Sequence, residues 1–212
     1  MPRRTCPPLP WLALALALLF GAAPGRAADA ADPDWPCIQR RVPHLSLGQV
    51  WPGPAPDADA QARARTAEID ALGRRLALRR TSMEDATRLI DDFAASADPA
   101  SLAGLYLATF EHINTARDRI LEGIGRYARK QATLDAEINE KRRELNRLSA
   151  AEPPDFDAID RIEADVDWST RIFIDRQQSL TYVCETPVIL EQRAFALGRA
   201  VAARLPAPAP AP

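Results

Sequence analysis

The sequence predicts an all-α protein: a long antiparallel helical hairpin, coiled-coil-like, with two shorter helices packed at its base and an extended N-terminal strap. Three observations carry that expectation. The 212-residue chain is 47% hydrophobic, 26% charged and only 6% aromatic, the balance of a helical protein rather than a disordered or disulfide-framework chain. Apolar residues recur at heptad spacing through two long segments, 99–149 and 155–205, separated by one short proline-containing break. The nine glycines are too few for a β-sandwich threaded by glycine turns.

Residues 1–27 read as a signal peptide. Arg3 and Arg4 precede an apolar run from Trp11 to Ala23. As a helix that run would span about 20 Å, short of the ~30 Å bilayer core, which is the pattern of a cleaved leader. Gly25 and Ala27 are small enough for cleavage before Ala28, and Cys6 lies ahead of the run, where it cannot be a lipoprotein cysteine. The expectation is therefore a periplasmic or secreted protein with no membrane insertion after signal cleavage. Cleavage would remove Arg3, Arg4 and Arg26 and no acid, lowering the formal net charge of −2 by three, to −5. No basic run is present, which argues against nucleic acid as a partner. Cys37 and Cys184 survive cleavage, and in an oxidising compartment an even pair favours a disulfide.

Residues 28–56 form the strap. Prolines at 33, 36, 43, 52, 54 and 56 remove backbone donors and hold their predecessors extended. Yet Trp35, Ile38, Val42, Leu45, Leu47, Val50 and Trp51 are too apolar for a solvated linker. The stretch should lie over the helical body, pinned by Cys37.

From residue 57 to 205 the pattern is helical. Ala60 to Arg80 reads as one helix with Ile69, Leu72 and Leu76 on one face. Thr81-Ser82-Met83-Glu84 reads as a capping box with Thr81 as the cap. It opens a helix that should bury Met83, Ala86, Leu89, Ile90 and Phe93. Asp98 then caps a helix whose first residue is Pro99, where a missing N–H costs nothing.

That helix carries the heptads. Leu102, Tyr106, Ile113, Ile120, Ile124 and Tyr127 lead into Leu134, Ile138, Leu145 and Leu148. Pro153-Pro154 breaks it and Asp155 or Asp157 restarts it, with Ile159, Ile162, Val166, Phe173, Leu180, Val183 and Leu190 on the return face. A sustained heptad demands a supercoiled partner, and a short connection makes that partner the next helix, antiparallel. Facing positions should then sum to about 304. The apolar stripe is wide at the open end, through Leu105, Leu107, Phe110, Ile189 and Phe195, and narrow near the turn. A wide stripe needs several neighbours and a narrow one a single partner. The segment from Arg129 to Val166 should therefore project as a bare two-helix finger. Residues 206–212 read as a Pro/Ala tail with no core residues.

Little in the sequence is catalytic. The only histidines are His44 and His112, and no metal-ligand spacing, haem motif or phosphate-binding glycine loop occurs. No metal and no cofactor is expected, nor an enzyme. Gly123 and Gly125, mid-helix, suggest that another element approaches closely. Pro187 lies inside the second long helix with Glu185, Glu191, Gln192 and Arg193 around it. The facing helix offers His112, Asn114, Arg117 and Arg119 at that level. These residues suggest either a register-fixing polar layer or a small-molecule pocket. Gln131, Ser169 and Arg176 are further polar residues at seam positions, and Lys141 should face Glu163. The function expected is that of an exported helical scaffold or protein-interaction protein of the cell envelope, meeting a protein partner or a second copy through the hairpin. The alternatives are a small-ligand-binding bundle with its pocket near Pro187, or a chaperone-like holdase.

Overall fold

The computed structural model describes residue 32 and residues 34–206. The expected leader, and the tail beyond Pro206, lie outside the described residues. The fold is all-α, 76% helix, with no strand among the described residues. Six helices follow in order: α1 Leu47–Val50, α2 Ala58–Ala64, α3 Ala67–Ala77, α4 Met83–Ala94, α5 Pro99–Ser149 and α6 Phe156–Ala202.

The hairpin of α5 and α6 organises everything else. α5 has 51 residues, about 76 Å of helix. Asp98 caps it, accepting from the Ser101 N–H at 2.7 Å with Pro99 at the first turn. That backbone hydrogen bond holds the Asp98 carboxyl below its usual range. Asp155 caps α6 in the same way, accepting from the Ala158 N–H at 3.0 Å. The register is antiparallel: Gln131 donates to the Phe173 carbonyl at 3.2 Å and the Tyr127 hydroxyl to that of Arg176. Past Ala128 on α5 and before Leu180 on α6, the buried side chains are Ile138, Val166 and Ser169 alone. The outer half of the hairpin is thus two helices packed on each other.

At the open end α2 and α3 pack along α5, while α1 and α4 pack on α6. The core between them holds Leu76, Ile90, Leu105, Tyr106, Ile113, Leu197 and Val201, all fully buried. The hydroxyl of Tyr106 lies 3.1 Å from the carbonyls of both Val50 and Ala194 and shares its one proton between them, and its ring stacks on Trp51 with centroids 4.6 Å apart. Burial pushes the Tyr106 phenol well above its ordinary pKa, so it stays a donor. One side chain therefore joins the strap to both long helices.

The single helix expected over Ala60–Arg80 is two. Thr66 leaves helical geometry and its hydroxyl donates to the Arg63 carbonyl at 2.8 Å. The reason is packing. Ala60 and Ala64, then Ile69, Gly73 and Leu76, are the buried residues of α2 and α3. Five positions separate Ala64 from Ile69, which in an unbroken helix would rotate Ile69 about 140° off the buried face; the break resets it. The cap of α4 is Ser82, not Thr81. Ser82 Oγ accepts from the Asp85 N–H at 3.0 Å, while Thr81 donates to the Arg75 carbonyl at 2.8 Å and closes α3. Met83, placed one position nearer the helix start, is 37% exposed instead of buried. Within the strap, residues 47–50 form a short helix rather than extended chain.

The glycines that mark close approach are not Gly123 and Gly125. A Cβ on Gly123 would meet only the flexible tip of Arg126, at 3.9 Å, and one on Gly125 would make ordinary contact with Asp34 at 3.6 Å. Tight positions include Gly73, against Ala108 and the Thr109 backbone at 3.0 Å, Gly104, against the Ala60 carbonyl at 2.8 Å, and Gly198, against the Val50 carbonyl and, at 3.0 Å, the Tyr106 ring. Two opposite results follow in chemical denaturation. Gly198→Ala is expected to lower stability by about 1–3 kcal/mol, because strap backbone must move aside. Gly123→Ala should instead raise it by up to about 1 kcal/mol through helix propensity alone.

Candidate functional site

The polar residues around Pro187 fall into three separate arrangements. Arg117 is 1% exposed although it is the largest buried side chain of the base. Its Nε and Nη2 donate to Glu191 Oε1 at 2.8 and 2.6 Å, and Nη2 also donates to the Val42 carbonyl of the strap. His112 pairs with Asp70 of α3 at 2.7 Å. That hydrogen bond, followed by the one from Arg74, holds the Asp70 carboxyl below its usual range. Arg193 donates through Nε and Nη2 to the Leu76 carbonyl at 2.9 and 2.6 Å, satisfying the end of α3. Burial pushes the Arg193 pKa down.

The remaining members stand apart. Arg119, Glu185 and Gln192 are exposed, Pro187 is buried, and Asn114 is half-buried with its Oδ1 lacking a partner among the described residues. Arg117 Nη1 also lacks one. Further out, Lys141 does not reach Glu163 but donates to Ser169 Oγ at 2.9 Å. Helical side chains lean toward the N-terminus of their own helix. On α5 that direction leads toward higher numbers on antiparallel α6, so Lys141 overshoots Glu163 as Arg117 overshoots Pro187 to reach Glu191. Arg176 lies exposed beside the seam.

The strap is fixed along this level. Cys37 and Cys184 form a disulfide with Cα atoms 5.6 Å apart. Asp34 pairs with Arg129 at 2.6 Å, and Trp35 donates its indole N–H to the Gln39 carbonyl at 2.6 Å. Ile38, next to the bridge, is 99% exposed. Among the described residues no cluster of His, Cys, Asp and Glu could hold a metal ion, and no helix is long and apolar enough to cross a membrane.

A second stripe runs along α6 on the side away from α5. One row holds Arg161, Trp168, Asp175, Tyr182 and Ile189, and the adjacent row holds Asp157, Ala164, Arg171, Gln178 and Glu185; every one of these residues is exposed. Trp168 is 64% and Tyr182 77% exposed, and Phe156 near the turn is 70% exposed. Ile174, also exposed, stands beside the second row, next to Arg171 and Gln178. Reading only the seam toward α5 overlooks this face, although the seven-residue step through Trp168, Tyr182 and Ile189 is present in the sequence. Arg161 donates to the Asp157 carbonyl at 3.0 Å. Arg171, Asp175 and Glu185 enter no ion pair among the described residues. None of these residues is a nucleophile paired with a base. No protein-family model, curated protein or solved structure matches the chain.

Proposed function

We propose that this is an exported, non-catalytic interaction protein of the cell envelope, periplasmic or secreted, which presents the outward face of α6 to a protein partner. The observation that carries the reading is the exposed row of Trp168, Tyr182 and Ile189, with Ile174 exposed beside the adjoining row and Phe156 exposed at the tip. Tryptophan and tyrosine are the residues that most often anchor protein interfaces. A row of them left in water along a helix whose other side is already packed marks a docking face rather than a core. The leader-like N-terminus and the Cys37–Cys184 bridge support an oxidising compartment. Ile138, by contrast, is 3% exposed and belongs to the hairpin's own seam. Making it Asp would break the finger rather than a complex.

The test is a photo-reactive amino acid placed in cells at Trp168, at Tyr182 and, as a control, at Arg88 on the exposed side of α4. A discrete cross-linked product is expected from the two α6 positions and none from Arg88. Absence of any product from both α6 positions overturns the reading.

A further inference from the structure

We propose that the partner seated on the outward α6 face is a second copy of this chain, lying antiparallel across a two-fold axis at the level of Phe173. The inference rests on the reading of that face as an interface and names its occupant. The argument is charge and size complementarity within the two exposed rows. A parallel copy would stack Arg171 on Arg171 and Asp175 on Asp175, which repel. An antiparallel copy centred at Phe173 sets Arg171 opposite Asp175 and Arg161 opposite Glu185, each pair occurring twice by symmetry. None of these four side chains enters an ion pair within the single chain among the described residues. Tyr182 then covers Ala164, a large side chain over a small one, and Trp168 lies on the aliphatic stem of Gln178. No like charges face each other in this seam.

The alignment is specific. Sliding one copy by a heptad sets Arg171 against Trp168 in one direction and against Tyr182 in the other, and either slide removes both kinds of ion pair. In the matched alignment the overlap runs from Asp157 to Ile189, roughly 50 Å of helix. Each finger tip, with Phe156 exposed, then reaches the Ile189 level of the other copy. The interface is isologous, so it closes on itself as a dimer.

Sedimentation equilibrium of the purified, oxidised protein tests this with four chains: wild type, Arg171→Asp, Asp175→Arg and the double exchange. All four should have the same helical circular dichroism, since both positions are exposed. Wild type and the double exchange are expected at the mass of two chains, and each single exchange should weaken the dimer at least tenfold. A wild type that stays at one-chain mass at about 50 µM, a concentration that populates any dimer of low-micromolar affinity, overturns the proposal. A dimer indifferent to the single exchanges, or not restored by the double, overturns it equally. If the wild type is monomeric while the Trp168 cross-link captures another protein, the self-pairing falls and the interface reading stands. If it is monomeric and nothing cross-links, both fall.

Discussion

Arg117→Ala is expected to destabilise the protein by about 3–5 kcal/mol, toward the lower end of that range. Arg117 is 1% exposed and makes every one of its hydrogen bonds inside the base. Removing it has three effects. The Val42 carbonyl loses a charged donor, a bond of the kind worth about 1.5–3 kcal/mol. The carboxylate of Glu191 loses its counter-charge, and because its side chain remains 27% exposed, water recovers part of that loss. The arginine stem leaves a cavity between α5, α6 and the strap.

Two companion variants separate these effects in urea denaturation. Glu191→Gln keeps an acceptor near Arg117 but removes the charge, and its loss should be intermediate. Arg117→Met with Glu191→Leu removes both charges while keeping volume, and should return to within about 1 kcal/mol of wild type, as buried pairs replaced by apolar groups commonly do. If the double variant is as unstable as Arg117→Ala, the strap contact through Val42 outweighs the ion pair. If Arg117→Ala changes stability by less than about 1 kcal/mol, the bonds from Arg117 to Glu191 and Val42 do not hold the strap to the hairpin.

What the sequence makes legible depends on whether one periodic constraint decides it. The hairpin is legible because an apolar stripe built from steps of three and four residues, through Leu102, Ile113, Ile124 and Ile138 and back through Val166, Leu180 and Leu190, leaves few partners for so long a stripe. The break at Thr66 is not, since Ala, Arg and Glu on both sides favour helix equally; it is set by where α5 lies under Ala64 and Ile69. The shift of the α4 cap from Thr81 to Ser82 is a choice between two neighbouring capping hydroxyls, of which serine is the slightly better cap and threonine is claimed by the Arg75 carbonyl. At the candidate site, the proximity of Arg117 and Glu191 follows from the hairpin register once the lean of side chains is allowed for. The bond from Arg193 to Leu76 does not. Its acceptor is a backbone carbonyl in another helix, and carbonyls carry no signature in a sequence. The same is true of Val42 and Val50, through which the strap is held.

Cys37→Ser with Cys184→Ser is expected to lower stability by about 3–5 kcal/mol and to raise the urea m-value. The bridge closes a loop of sequence separation 147, for which the chain-entropy account gives roughly 5 kcal/mol as a ceiling. Most of that effect lies in the unfolded chain, which the bridge keeps compact; without it unfolding exposes more surface, and the m-value follows. In the folded protein the loss should stay local. Past Cys37 the strap is held again at Val42 by Arg117, at Val50 by Tyr106 and at Trp51 by stacking. Only the stretch around Asp34 to Gln39, and the Asp34–Arg129 pair that fixes its start, should come free. Hydrogen exchange of the double-serine protein should therefore match wild type in α1 to α5 when compared at equal stability. A unique increase is expected at the Gln39 level and in α6 around Cys184. A loss of about 4 kcal/mol with an unchanged m-value would place the bridge's effect in native packing instead. The rigidity of the strap would then depend on sulfur contacts rather than on the carbonyls that tie it to Arg117 and Tyr106.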